Sequence, residues 1–124
     1  MKLLILISLL SASSLFANDL SIRVRDEILD QHNPVVVSVS TRGVTTLQFP
    51  ASIDALDGAG FASKADESGA FLFTPGRSWV SIQALRPSAQ SNLNVVIGGI
   101  VFPVLIRATE ENDFLVVFRS VSSK

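Results

Sequence analysis

The sequence predicts an all-β protein: an antiparallel β-sandwich of about eight or nine short strands, set behind a cleaved signal peptide. Three observations lead there. Runs of β-branched and aromatic residues recur at intervals of roughly ten residues, with turn chemistry between them. The clearest lies in residues 92–107, where Val95-Val96-Ile97 and Ile100-Val101-Phe102-Pro103-Val104-Leu105-Ile106 are joined by Gly98-Gly99. Glycine reaches the positive φ of a two-residue hairpin loop without steric cost, so this segment is expected to be the central hairpin. No amphipathic helical window of useful length accompanies these runs, and no internal repeat replaces them.

The chain begins as exported proteins do. Lys2 supplies a positive start, residues 3–10 an apolar core, and residues 11–17 mostly small side chains. That is the layout of a secretory signal peptide. Its core is well short of the ~20 residues a spanning helix needs. Cleavage after Ala17 leaves residues 18–124 as one domain, long enough to bury roughly two-thirds of its unfolded surface. The whole chain has 124 residues, a net charge of −1 and no Cys. Loss of Lys2 with the leader takes the net charge to −2. Export without disulfides points to a bacterial periplasm or outer surface. With acidic and basic residues interspersed and no basic stripe, nucleic-acid binding has no electrostatic support. The scattered arginines are expected on strand edges and solvated faces.

In chain order, residues 19–25 alternate, with Leu20, Ile22 and Val24 on a dry face. Residues 26–33 read as a polar connector or a single helical turn. Pro34 opens a strand through residues 35–40, a position proline tolerates. Residues 41–43 turn, and residues 45–49 alternate with Leu47 and Phe49 inward. A short strand is expected over 53–56, a loop over 62–69, a strand over 70–73 and a turn over 74–77. Residues 79–85 alternate, placing Val80, Ile82 and Ala84 on one face and Trp79, Ser81 and Gln83 on the other. After the central hairpin, residues 109–112 form a polar turn and residues 113–121 the last strand.

Candidate chemistry is sparse. His32, the only histidine, lies in a loop, and nothing in the sequence places a nucleophile beside it. A hydrolase built on His32 is the least favoured reading. One His and no Cys argue against an ordinary zinc site. Asp54 with Asp57, Asp66 with Glu67, and Glu110 and Glu111 with Asp113 fall where turns want solvated polar residues. The last set is the one place a calcium ion would find a carboxylate loop, though not an EF-hand. Gly58-Ala59-Gly60 reads as a bend, and no phosphate-binding fingerprint occurs. No cofactor is expected, and no catalytic residue is assigned. The candidate interface residues are Trp79, Phe102 and Pro103. Tryptophan is enriched at binding hot spots. A proline inside a long strand demands a sheet margin or a bulge.

Several of these pieces resemble one family. Thr45-Thr46-Leu47-Gln48-Phe49-Pro50 followed by Ile53, then residues 71–79, Leu85-Arg86-Pro87 and Ser91-Asn92-Leu93-Asn94-Val95-Val96 look like the N-terminal β-sandwich of the conjugal-transfer TrbG/CagX family, outer-membrane core-complex subunits of type IV secretion systems. A TraK-like conjugation family shares the style. The likeness spans residues 36–106. It departs at Ile100-Val101-Phe102-Pro103, where those proteins carry an aromatic R-x-Y pattern, and it lacks their second β domain. The resemblance implies a non-enzymatic periplasmic assembly protein that contacts other envelope or secretion-system proteins and meets the membrane only through them. The alternative is a small extracytoplasmic ligand- or carbohydrate-binding β-sandwich using Trp79 and loop carboxylates.

Overall fold

The computed structural model describes residues 23–64 and 69–120. The signal peptide, the Leu20 and Ile22 alternation, the Asp66–Glu67 pair and Val121 therefore lie outside the described residues. All regular structure within them is β. Ten strands form two sheets: β1 (Val24–Leu29), β10 (Leu115–Ser120), β3 (Thr45–Gln48), β7 (Trp79–Ala84), β6 (Phe71–Pro75) and β5 (Phe61–Ala62) in that spatial order, and β2 (Val35–Val39), β9 (Ile100–Ala108), β8 (Gln90–Ile97) and β4 (Ala55–Gly58) in the other.

The expectation of a purely antiparallel arrangement is wrong. β1 and β3 both run parallel to β10, β2 runs parallel to β9, and β5 parallel to β6. Only β3–β7, β4–β8, β6–β7 and β8–β9 are antiparallel. The reason is topological. Through its first half the chain changes sheet at every connection, from β1 to β5, so consecutive strands do not pair. Their partners come from far along the chain, where direction is not dictated by a tight turn.

Where consecutive strands do pair, the turn chemistry decides. Gly98 and Gly99 have φ of 60° and 79°, the double left-handed conformation a two-residue loop demands. Around them β8 and β9 pair over eight positions, from Ile97↔Ile100 to Gln90↔Arg107. β6 and β7 turn through residues 76–78, where the Gly76 N–H donates to the Trp79 carbonyl at 2.7 Å.

One hydrophobic cluster draws on the inward faces of both sheets. Leu47, Val80, Ile82 and Val116 come from the six-stranded sheet, and Val37, Val39, Leu93 and Val95 from the four-stranded one, all with no exposed surface. Each such side chain stabilises by about 1.5–3 kcal/mol relative to exposure. Phe49 stacks on Phe118 with centroids 4.9 Å apart, closing the core beside the end of β3. The alternation read for residues 79–85 holds, with Val80, Ile82 and Ala84 buried.

The first strand is the instructive departure. Among the described residues it occupies Val24–Leu29, so the first half of the segment read as a polar connector, residues 26–29, is strand. Its faces are also reversed: Val24 is 55% exposed, and Arg25 turns inward. The cause is Asp113, which was expected in a solvated turn and is fully buried. Arg25 Nη1 donates to Asp113 Oδ2 at 2.7 Å and to the Val36 carbonyl at 2.9 Å. The Ser38 N–H donates to the same carboxylate at 3.0 Å. Oδ1 faces Arg23 Nη2 at 3.4 Å without an aligned hydrogen bond. An uncompensated buried carboxylate costs several kcal/mol, so the strand register follows the ion pair rather than the valine.

Burial by itself disfavours the Arg25 charge. Hydrogen bonds to Glu27 and Asp113, with the charges of both carboxylates, more than offset it and hold the guanidinium above its ordinary pKa. Removing the carboxylate is therefore expected to be costly. Asp113→Ala should lose about 3 kcal/mol, the low end for breaking a buried pair, because both arginines keep some access to water. In a domain of this size that lowers the melting temperature by roughly 10–20 °C. Thermal denaturation followed by circular dichroism measures it, and a change within 2 °C would contradict the role given to Asp113.

Candidate interaction surfaces

The three residues singled out for an interface stand on different surfaces. Trp79 belongs to the outer face of the six-stranded sheet, paired with Gln48 and 40% exposed. Its indole lies directly over Gly76, where a Cβ would collide with Cε2 and Nε1. Much of the ring is thus engaged in covering a glycine in its own turn. Pro103 shares the outer face of the four-stranded sheet with Val101 and Leu105. Phe102 alternates to the opposite side, with Ile100, and faces the end of the core. The hairpin brings Phe102 and Pro103 together in sequence and separates their side chains by the sheet itself.

Beneath the hairpin tip lies a groove of about 380 Å³. Leu29, Pro50, Ala51, Ile97, Ile100 and Phe102 form its apolar walls, and Asp30, Gln31, His32 and Ser120 its rim. β1 delivers Leu29 and the β1–β2 turn delivers the rim, because Asp30 holds that turn in shape. Its carboxylate accepts the His32 N–H at 3.0 Å and the Asn33 Nδ2 at 2.8 Å, while the Asn33 N–H donates to the Asp30 carbonyl at 3.2 Å. The backbone hydrogen bond from His32, then the Asn33 amide, hold the Asp30 carboxyl below its ordinary pKa. On the far side, Asp54 Oδ2 accepts the Gly98 N–H at 2.7 Å and braces the hairpin turn from the start of β4. Asp54 is thus a turn clamp.

His32, Ser120 and Asp30 line one rim, the three residue types of a hydrolytic triad. Among the described residues no hydrogen bond joins the imidazole to Ser120, and the Asp30 carboxylate is engaged by its own turn. Nucleophilic activation needs both contacts, and this arrangement makes neither.

The carboxylate trio at residues 110–113 is also dispersed. Asp113 is buried against arginines and Glu110 and Glu111 are exposed, so no shared cation pocket forms. Among the described residues no group of three or more His, Cys, Asp or Glu is placed to hold a metal ion. A polar cleft of about 470 Å³ opens near the other end of β9, lined by Ser40, Thr41, Arg42, Ser88 and Thr109 among others. Ser40 Oγ there bonds Asn112 Oδ1 at 3.1 Å, and Thr109 Oγ1 donates to the Glu111 carbonyl at 2.5 Å, so these hydroxyls serve the turns.

Sequence reasoning missed Val101 and Ile100, which are 42% and 46% exposed at the hairpin tip. The signal that finds them is the pair of prolines. β2 begins at Val35, opposite Val104, so residues 100–103 extend past its end. Backbone direction along β9 follows from two bonds: the Ala108 N–H donates to Ala89, toward β8, and the Thr109 N–H donates to Val39, toward β2. Odd-numbered residues therefore point toward β2. The N–H that Pro103 lacks is not missed there, because β2 begins only at Val35, opposite Val104.

No model of a known protein family matches the chain, and no curated protein matches it.

Two outcomes are expected. Gly76→Ala should displace the only tryptophan, shift its fluorescence emission and cost about 1–3 kcal/mol through overpacking; unchanged emission would show that the indole does not depend on Gly76. The Asp30 carboxyl should titrate below an unperturbed aspartate in a carbon-detected NMR titration. Its contribution to the turn is complete above the unfolded-state pKa and is lost as pH falls through the depressed folded value.

Proposed function

We propose that this is an exported, non-enzymatic β-sandwich, its two sheets packed face to face, that acts by protein–protein contact in a periplasmic envelope assembly of the type IV secretion or conjugation kind. The observation that carries the reading is the hairpin tip: an apolar groove flanked by a length of strand with no neighbour on one side. Strand edges left open in this way are surfaces that natural proteins either blunt or use. The leader-like residues 1–17 support export. The shared core cluster supports the sandwich. The TrbG/CagX-like motifs supply the kind of assembly.

The test is extraction from native envelopes in mild detergent. The chain should begin at Asn18 by N-terminal sequencing and co-purify with envelope proteins identified by mass spectrometry. Recovery as a partnerless soluble monomer would overturn the reading.

A further inference from the structure

We infer that the hairpin tip accepts an extended strand from another protein, which pairs with the β9 edge at Val101, fills the groove with alternate apolar side chains, and sets a Lys or Arg beside Asp30. The inference rests on the contact function proposed above and names the partner's chemistry.

Three features specify it. First, the backbone. With odd-numbered residues of β9 directed toward β2, the Val101 N–H and carbonyl point to a lattice position that β2 does not reach, whereas the Pro103 carbonyl faces Val35, the first residue of β2. An added strand in line with β2 meets one donor and one acceptor, both on Val101, the ingredients of β-augmentation. Second, the side chains. A strand at that position alternates faces, so every second residue meets Ile100, Phe102, Leu29 and Pro50 in the groove. Third, the charge. Among the described residues that line the groove, Asp30 is the only carboxylate and no Lys or Arg is present. Its oxygens are held toward its own turn by the His32 backbone N–H and the Asn33 amide, both uncharged donors. A basic residue at one end of the docking strand is complementary; an acidic one is opposed.

The other margins differ in just the features that matter; on the outer edge of β2, the Val36 carbonyl is taken by Arg25 and the Ser38 backbone by Asp113. β1 turns Arg25 and Glu27 inward, and β5 has only two residues. Asp54, just before β4, is committed to the hairpin turn, and β4 itself carries Asp57. Inward charges and very short strands are devices that deter pairing. Residues 100–102 carry none.

Val101→Pro isolates the claim. Its N–H points away from β8, so the substitution should leave the hairpin ladder intact, as Pro103 does, while removing the one donor and crowding the edge. The probe is a pair of capped hexapeptides, Lys-Val-Thr-Val-Thr-Val and its Glu-first counterpart, titrated into the ¹⁵N-labelled exported protein. The Lys peptide is expected to shift the amides of Val101 and Phe102 and to bind at least tenfold more tightly than the Glu peptide. Val101→Pro should weaken binding at least tenfold with its melting temperature within about 3 °C of the parent. Asp30→Asn should abolish the preference for Lys. Absence of binding by the Lys peptide, or equal binding by the parent and Val101→Pro, overturns the inference. So does a concentration-dependent dimer that Val101→Pro dissolves, which would give the edge to a second copy. So too does tighter peptide binding on deletion of residues 121–124, which would give it to the chain's own end. Co-purification that survives Val101→Pro would leave the general contact reading standing and this one fallen.

Discussion

A single buried negative charge organises one side of this protein. Asp113 is fully enclosed, and every neighbouring element makes some provision for it. β1 contributes Arg25, the residue before β1 contributes Arg23, and β2 contributes the Ser38 N–H. The Asp113 backbone is engaged as well: its N–H donates to Ser38, and its carbonyl accepts Thr45 Oγ1 at 2.6 Å and Asn112 Nδ2 at 2.9 Å. These contacts join β1 and β3 of one sheet to β2 of the other at one place. An aliphatic contact tolerates a small displacement of its side chain, because one such contact resembles another. An ion pair with aligned hydrogen bonds is not, since a displaced partner leaves a desolvated charge behind.

That constraint explains why the edge strand next to Asp113 is guarded. To reach the carboxylate, Arg25 must lie on the inward face of β1, and period two then turns Val24 and Ile28 outward. The Arg25–Glu27 pair at 2.7 Å sits on the same inward face. On the outward face Asp26 meets Arg119 at 3.0 Å across to β10. An edge strand bearing charge on both faces is a poor template for another chain. The arrangement that satisfies a buried aspartate also closes that margin to promiscuous pairing.

How far the sequence revealed this depends on which force acts locally. Where burial alone decides, the pattern was legible: Leu47 and Phe49, Val80, Ile82 and Ala84, and the β8–β9 hairpin with its two left-handed glycines all stand where periodicity and turn chemistry put them. Where a charge decides, the pattern misled. DLSIRVR alternates so cleanly that Val24 reads as core, and nothing local announces an aspartate eighty-odd residues away that will claim Arg25. Strand direction was illegible for a related reason. Hairpins advertise themselves in a few residues, whereas β1–β10 and β2–β9 pairings are settled by three-dimensional proximity between distant segments. At the candidate surface Pro103 was the legible clue. It requires a margin, but that the margin belongs to Val101, and that it lies over a groove rimmed by Asp30, emerges only once β2 has been placed.

The placement of β2 connects the two ends of the molecule. Its register on β9 is held from the Asp113 side: Ser38 is fixed by the carboxylate and Val36 by Arg25, so Val35 must fall opposite Val104. A shift of one residue would turn Val37 and Val39 out of the core, which forbids sliding toward the hairpin tip. Pro34 then ends the strand, and the Asp30 turn carries the chain away to β1. The open length of β9 is therefore not slack left by a strand that happens to be short. It is the complement of a register fixed by the Asp113 network, and the prolines on either side of the gap keep the chain from closing it.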